Sequence, residues 1–269
     1  MKQNTASQMP SKGFWKEYYV YDVTQVLTPG TGTQAANQNL LRTDSDADFE
    51  MTKLTYVANF DQIYVQMRDD SSGRYLIQYP MDIKDLAGRN TLAMGASSSF
   101  LPFILPMPYV ISAASNFTTY AQDYSNQANT MRLALHGAKI RKGNAPWEQK
   151  WRAQIPFFAP FTQGSVVVAP NGTATQNIET DIDAHFLIQK IVATRTDSAL
   201  VNIYDNSRGQ SWMNNSIHID NVAGNGAFPN VLPAPRFITR GSVLTVNITN
   251  LTSSNNTINF VFIGKKLYE

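Results

Sequence analysis

The chain contains no cysteine. Disulfides therefore contribute nothing to its stability, and cysteine-based zinc sites and thiol nucleophiles are excluded. Charge is also scarce. Charged residues make up 16% of the 269, below the roughly one quarter found in ordinary soluble chains. The 22 Lys and Arg against 20 Asp and Glu leave a formal charge of +2. They are scattered rather than gathered into a basic stripe, so no direct nucleic-acid binding is expected. No apolar run is long enough to span a bilayer, and Met1 to Ser11 carries no apolar signal core, so neither membrane association nor Sec-type export is expected.

Chemistry-bearing patterns are equally thin. The three histidines, His136, His185 and His218, do not stand at metal-ligand spacing. There is no nucleophile elbow and no glycine-rich phosphate loop. The expectation is a non-enzymatic protein with no catalytic residues, cofactor or metal. Asp44, Asp46 and Asp48 alternate as carboxylates do in a calcium loop, partly echoed by Asp181 and Asp183. The loop's central glycine is absent, which leaves a hydrophilic strand edge beside the calcium reading. Asp69-Asp70 with Arg74, and Asp205 with Arg208, flank Gly73 and Gly209 and read as turns stitched by local hydrogen bonds.

What the chain has in abundance is self-similarity. Asp46, Ala47 and Phe49 recur 137 residues later as Asp183, Ala184 and Phe186. Leu86-Ala87-Gly88 recurs as Val222-Ala223-Gly224, and Leu105-Pro106-Met107-Pro108 as Leu232-Pro233-Ala234-Pro235. From there the match holds to the end, through Gly137 with Gly264 and Lys139 with Lys266. An extra stretch, Arg89 to Phe103, belongs to the first copy alone. Such a repeat divides the chain into an N-terminal arm over 1–16, a first unit over 17–140, a linker over 141–156 and a second unit over 157–269.

Within each unit the segments are short, rich in Val, Ile, Tyr, Phe and Thr, and alternate, as in Ile63, Val65 and Met67 against Tyr64 and Gln66. The fold class is all-β, two tandem β-sandwich units of jelly-roll type, with an immunoglobulin-like sandwich as the alternative. The last two strands, Ser242 to Thr249 and Thr257 to Ile263, look like a hairpin. Trp147 to Ala153 could form a short linker helix. The Leu-Pro-x-Pro element reads as an unpaired extended corner leading into a strand. Trp15, Trp147, Trp151, Phe157 and Phe158 lie outside the repeated landmarks and are the candidate interface residues. Packing between the two units is the alternative for Trp147 to Phe158, while Trp15 in the arm would reach a partner.

These paired units, with their Asp-containing turn, Ala-Gly turn, Leu-Pro-x-Pro corner and closing strands Leu135-His136-Gly137-Ala138-Lys139 and Phe262-Ile263-Gly264-Lys265-Lys266, resemble virion structural proteins of tailed bacteriophages. The resemblance implies jelly-roll modules that decorate or reinforce a capsid. Its partners would be further copies of the chain, as a homotrimer, and other capsid proteins, with a place on the capsid surface. A double jelly-roll major capsid protein is one alternative. A carbohydrate- or receptor-binding fibre module using Tyr75, Tyr79 and Trp212 is another.

Overall fold

The computed structural model describes residues 13–29, 37–86, 89–91, 102–161 and 164–269. Strands dominate, arranged in four sheets. In the first half the chain alternates between two of them. Strands β1 (Phe14–Leu27), β3 (Asp48–Ala58), β7 (Phe103–Ile111) and β9 (Asn129–Lys142) form one sheet, with β9 between β1 and β3 and with β7 on the far edge of β3. The short β6 (Arg89–Thr91) joins the end of that edge in parallel. Strands β2 (Asn37–Arg42), β8 (Asn116–Asp123), β4 (Ile63–Asp69) and β5 (Arg74–Asp82) form the facing sheet in that order. This is jelly-roll connectivity.

The second half repeats it. Strands β10 (Ala153–Pro160), β19 (Asn256–Tyr268), β13 (His185–Arg195) and β17 (Asn230–Ile238) form the first sheet, with β11 (Val166–Val168) also on β19. Strands β12 (Thr173–Glu179), β18 (Val243–Asn250), β14 (Ala199–Asp205), β15 (Gln210–Ser211) and β16 (Ile217–His218) form the other. Single-turn helices α1 (Ile83–Leu86) and α2 (Ile219–Val222) precede β6 and β17. Alternation builds the cores: Ile63, Val65 and Met67 are buried in the first, and Leu244, Val246 and Ile248 in the second.

The repeat reaches down to single hydrogen bonds. Asp69 Oδ1 accepts from the Ser71 amide at 3.0 Å and Ser71 Oγ at 2.6 Å; Asp205 Oδ1 accepts from the Ser207 amide and hydroxyl at the same distances. Gly73 and Gly209 complete these turns at φ of +67° and +61°, a region costly for a side chain. Lys139 reaches Asp44 at 2.7 Å and Asp46 at 3.0 Å while lying over the Tyr19 ring, and Lys266 does the same with Asp181 and Phe157. The alternating carboxylates are thus held by lysine, and by Arg141 on Asp46 at 2.7 Å. Asp48 accepts from the Ala113 amide. Asp44, Asp46 and Asp48 thus each have a cationic or amide partner along this strand edge.

Four expectations are corrected in whole or in part. The last two strands do not form a hairpin, because β18 pairs with β12 and β14 while β19 pairs with β10 and β13. A jelly roll sends consecutive strands to opposite sheets. No linker helix forms over Trp147 to Ala153; Pro146 and Trp147 make a turn and Ala153 already starts β10. The Leu-Pro-x-Pro elements lie inside β7 and β17, where register jumps from Tyr109 to Ile104 and from Arg236 to Val231. The proline segments arch away between those paired ends, and edge position tolerates their missing donors. The stretch expected as an arm is partly strand: Phe14, Trp15 and Lys16 pair with Lys142, Arg141 and Ile140. Of the extra stretch in the first copy, 92–101 lies outside the described residues.

Candidate assembly interface and the seam between the rolls

Strand β1 serves two cores at once. Tyr19, Tyr21 and Val23 face the first roll, while Tyr18 and Val20 pack with Trp212, Met213, Ile217, Ile219 and Val222 of the second. That is why Glu17 to Val23 are buried without alternation. Backbone and amide groups close the join. The Val20 amide donates to the Trp212 carbonyl at 3.1 Å, the Asp22 amide to Asn214 Oδ1 at 2.7 Å, and Asn221 Nδ2 to the Arg132 carbonyl at 2.9 Å.

Charged groups are enclosed in the same seam. Glu17 is wholly buried and faces Arg236 at 3.0 Å, Arg141 at 3.4 Å and Arg208. Arg236 donates to the Tyr18 carbonyl at 3.2 Å and lies over the Trp212 ring. Burial lowers its pKa to about 10, against the pull of Glu17. Further along, Lys53 Nζ donates to Asn230 Oδ1 and to the Val231 carbonyl, both at 2.6 Å. His136 stands beside it, its Nδ1 3.2 Å from the Tyr18 hydroxyl and its Nε2 2.9 Å from Thr55 Oγ1.

These buried groups set an expected pH response. Burial holds His136 well below its ordinary value of 6.5 and His218 at about 4, the latter despite the Asp220 carboxylate beside it. The unfolded chain takes up these protons near pH 6.5 and the native chain does not, so their stabilising contribution is full above pH 6.5 and declines as pH falls toward 4. Asp22 opposes them: burial raises it to about 6, so its contribution is full below its ordinary 3.8 and lost as pH rises through 6. Two imidazoles against one carboxyl leave a net loss. Thermal melts are expected to fall between pH 6.5 and 4, with a shallower fall in His218→Gln; identical slopes would remove His218 from the account.

Because the two rolls are copies, each half of the seam has a counterpart elsewhere. Register places Phe158 where β1 has Val20, Ile155 where it has Glu17, Met107 where β17 has Ala234, and Tyr109 where it has Arg236. In the seam Val20, Glu17 and Ala234 are buried, whereas Phe158 is 60% exposed, Ile155 49% and Met107 65%. Ile104 and Val110 add to the apolar surface of β7. The chain thus presents one unfilled half-seam on each roll.

The candidate interface residues are dispersed. Phe158 is the exposed one. Phe157 points inward onto Phe186 at 5.2 Å between ring centroids. Trp147 and Trp151 pack over Leu187, Phe237 and Leu267 on the outer side of the second roll, and Trp15 meets Trp147 edge to face at 5.4 Å. Of the aromatic trio considered for glycans, Tyr75 and Tyr79 are exposed on β5 but Trp212 is fully buried in the seam, so the three share no surface. Sequence reading missed Glu17, Lys53, Asn230 and Arg236. A signal for three of them was present: they replace Ile155, Phe103 and Tyr109 of the other copy, polar for apolar or aromatic.

No protein-family model matches the chain, and no curated protein matches its sequence. Similar solved structures are viral. One is from Sulfolobus turreted icosahedral virus, with 12% identity over 88% of this chain and 57% of that one, at a TM-score of 0.28. Another is an archaeal virus protein described by its triple jelly-roll fold and turret assembly, with 10% identity over 91% and 59%, at 0.28. The major capsid protein of bacteriophage PM2 gives 14% identity over 92% and 98%, at 0.24. The chain spans less than two thirds of the first two. Overlays this loose carry no functional argument, which rests on the seam.

Proposed function

We propose that this chain is a non-enzymatic structural protein of a virus particle, a double jelly-roll shell subunit that assembles as a homotrimer. The observation that supports this is the pair of unfilled half-seams. Inside the chain, β17 and the α2 region of the second roll cover β1 and β9 of the first. Between chains, β7 and the α1 region of one copy would cover β10 and β19 of the next. Such a contact is heterologous, so it either closes a ring or runs on as a filament. Closure at three copies sets six equivalent rolls around one axis and makes a tile fit for a hexagonal lattice. Further capsid proteins would then be the partners at its rim.

Light scattering tests the closure. The 30.0 kDa chain is expected to run as a trimer, and Phe158→Asp or Met107→Asp to run as a folded monomer. Leu40→Asp, on the opposite sheet of the first roll, is expected to leave the trimer intact. A monomeric parent chain, or a Phe158→Asp trimer, would sink the proposal. Abundance in purified particles distinguishes a shell subunit, which must be the major band, from a decoration protein added to another lattice.

A further inference from the structure

Among the groups enclosed in the seam, one pair is arranged for a covalent reaction. Lys53 on β3 and Asn230 at the start of β17 come from different rolls, and both are buried, at 7% and 0% exposure. Lys53 Nζ lies 2.6 Å from Asn230 Oδ1. The carboxamide cannot turn away, because its Nδ2 donates to the Val222 carbonyl at 2.5 Å. The Tyr18 hydroxyl is hydrogen-bonded to the Asn230 side chain and, on its other side, stands 3.2 Å from His136 Nδ1. A primary amine, a primary amide and a hydroxyl beside an imidazole thus meet in a largely buried site.

We propose that Lys53 and Asn230 join in an isopeptide bond that ties the two rolls together. In the reaction the uncharged Lys53 Nζ adds to Asn230 Cγ. A proton passes from Nζ to Nδ2 by way of the Tyr18 hydroxyl, the Cγ–Nδ2 bond breaks and ammonia leaves. One amide replaces another, so neither oxidant nor external acyl donor is required. Two features of the site favour it. Burial lowers the Lys53 pKa to about 7, which supplies the nucleophilic amine near neutrality. Fixing both partners on strands converts a slow bimolecular encounter into an intramolecular one.

The pair is specific to this seam. The other copy has Lys190 at the position of Lys53 but Phe103 at that of Asn230, so no second bond can form where the rolls of neighbouring chains would meet. The link therefore lies within one chain and closes a ring from residue 53 to residue 230.

Intact mass spectrometry of the denatured, full-length chain reads the outcome directly. After prolonged incubation at neutral pH the chain is expected to weigh one ammonia less than its sequence. Proteolysis should then yield a branched peptide joining Lys53 to Asn230. Peptide mapping is essential, since ammonia loss at Asn171-Gly172 or Asn225-Gly226 gives the same mass without a branch. Lys53→Met should abolish the branched peptide, and Tyr18→Phe should slow its appearance about a hundredfold, the usual scale of a positioned acid–base group. Because a substituted seam can misfold, the decisive measurement is on the unsubstituted protein. Lys53 and Asn230 recovered only in separate, unmodified peptides would overturn the proposal.

Discussion

Glu17→Ala is expected to lower the unfolding free energy by about 3–5 kcal/mol, the cost of removing one partner from a buried ion pair. Glu17 is wholly enclosed and is the carboxylate facing Arg236, itself 1% exposed. Without it, Arg236 keeps its charge among Trp212 and the Tyr18 carbonyl, with the more distant Asp205 carboxylate left to offset its burial. Arg208 and Arg141 lose the same partner. Urea unfolding measures the loss. Glu17→Gln retains the shape and one acceptor and should lose less, so the order parent, Gln, Ala tests the charge separately from the packing. A Glu17→Ala midpoint equal to the parent's would show that the cluster is not what holds the rolls together.

The second large effect is expected at the closing strands. Gly264 lies opposite the irregularity between Ile188 and Lys190, where the backbone of β13 presses toward β19. A Cβ there would meet the Leu187 carbonyl oxygen at 1.9 Å, and at Gly137 the Glu50 carbonyl oxygen at 2.0 Å. Neither obstacle is a flexible side chain. Alanine must push a strand out of register with its neighbours, and about 3 kcal/mol is expected for each, the upper end of over-packing costs. Gly226, with nothing within 4 Å of its would-be Cβ, is the control. If Gly264→Ala and Gly226→Ala melt together, the close approach carries no weight.

These glycines also show what was legible beforehand. The recurrence of Gly137 as Gly264 marked them as scaffold, and the structure supplies the reason: both copies carry the same bulge opposite them. Period-two alternation disclosed the strands of β4 and β18 because each has one wet face. It failed for β1, which is dry on both faces between Glu17 and Val23, and so the first strand's second role went unseen. The hairpin error at the C-terminus has a similar origin. A short polar turn between two strands looks the same whether the second strand returns beside the first or crosses to the facing sheet. Trp212 looked like a surface aromatic because its neighbours are polar, yet the other roll covers it. Contacts between the rolls join positions far apart in sequence, such as Lys53 and Asn230, and leave no periodic trace.

The strands that border the unfilled half-seams carry prolines at their unpaired edges. Pro106 and Pro108 interrupt β7, and Pro156 and Pro160 lie on β10. β1, whose outer side is already covered within the chain, has none between Phe14 and Leu27, while β17 on the filled seam keeps Pro233 and Pro235 where β7 has Pro106 and Pro108, so the β10 prolines are the ones peculiar to an open edge. An apolar strand edge with every amide free is a template for fibre growth, and a proline removes the donor that such growth needs. In the proposed assembly, a subunit not yet docked would offer its neighbours apolar side chains and fewer backbone donors. Such a subunit would dock with less strand-to-strand pairing, which would lower the risk of amyloid-like aggregation before assembly.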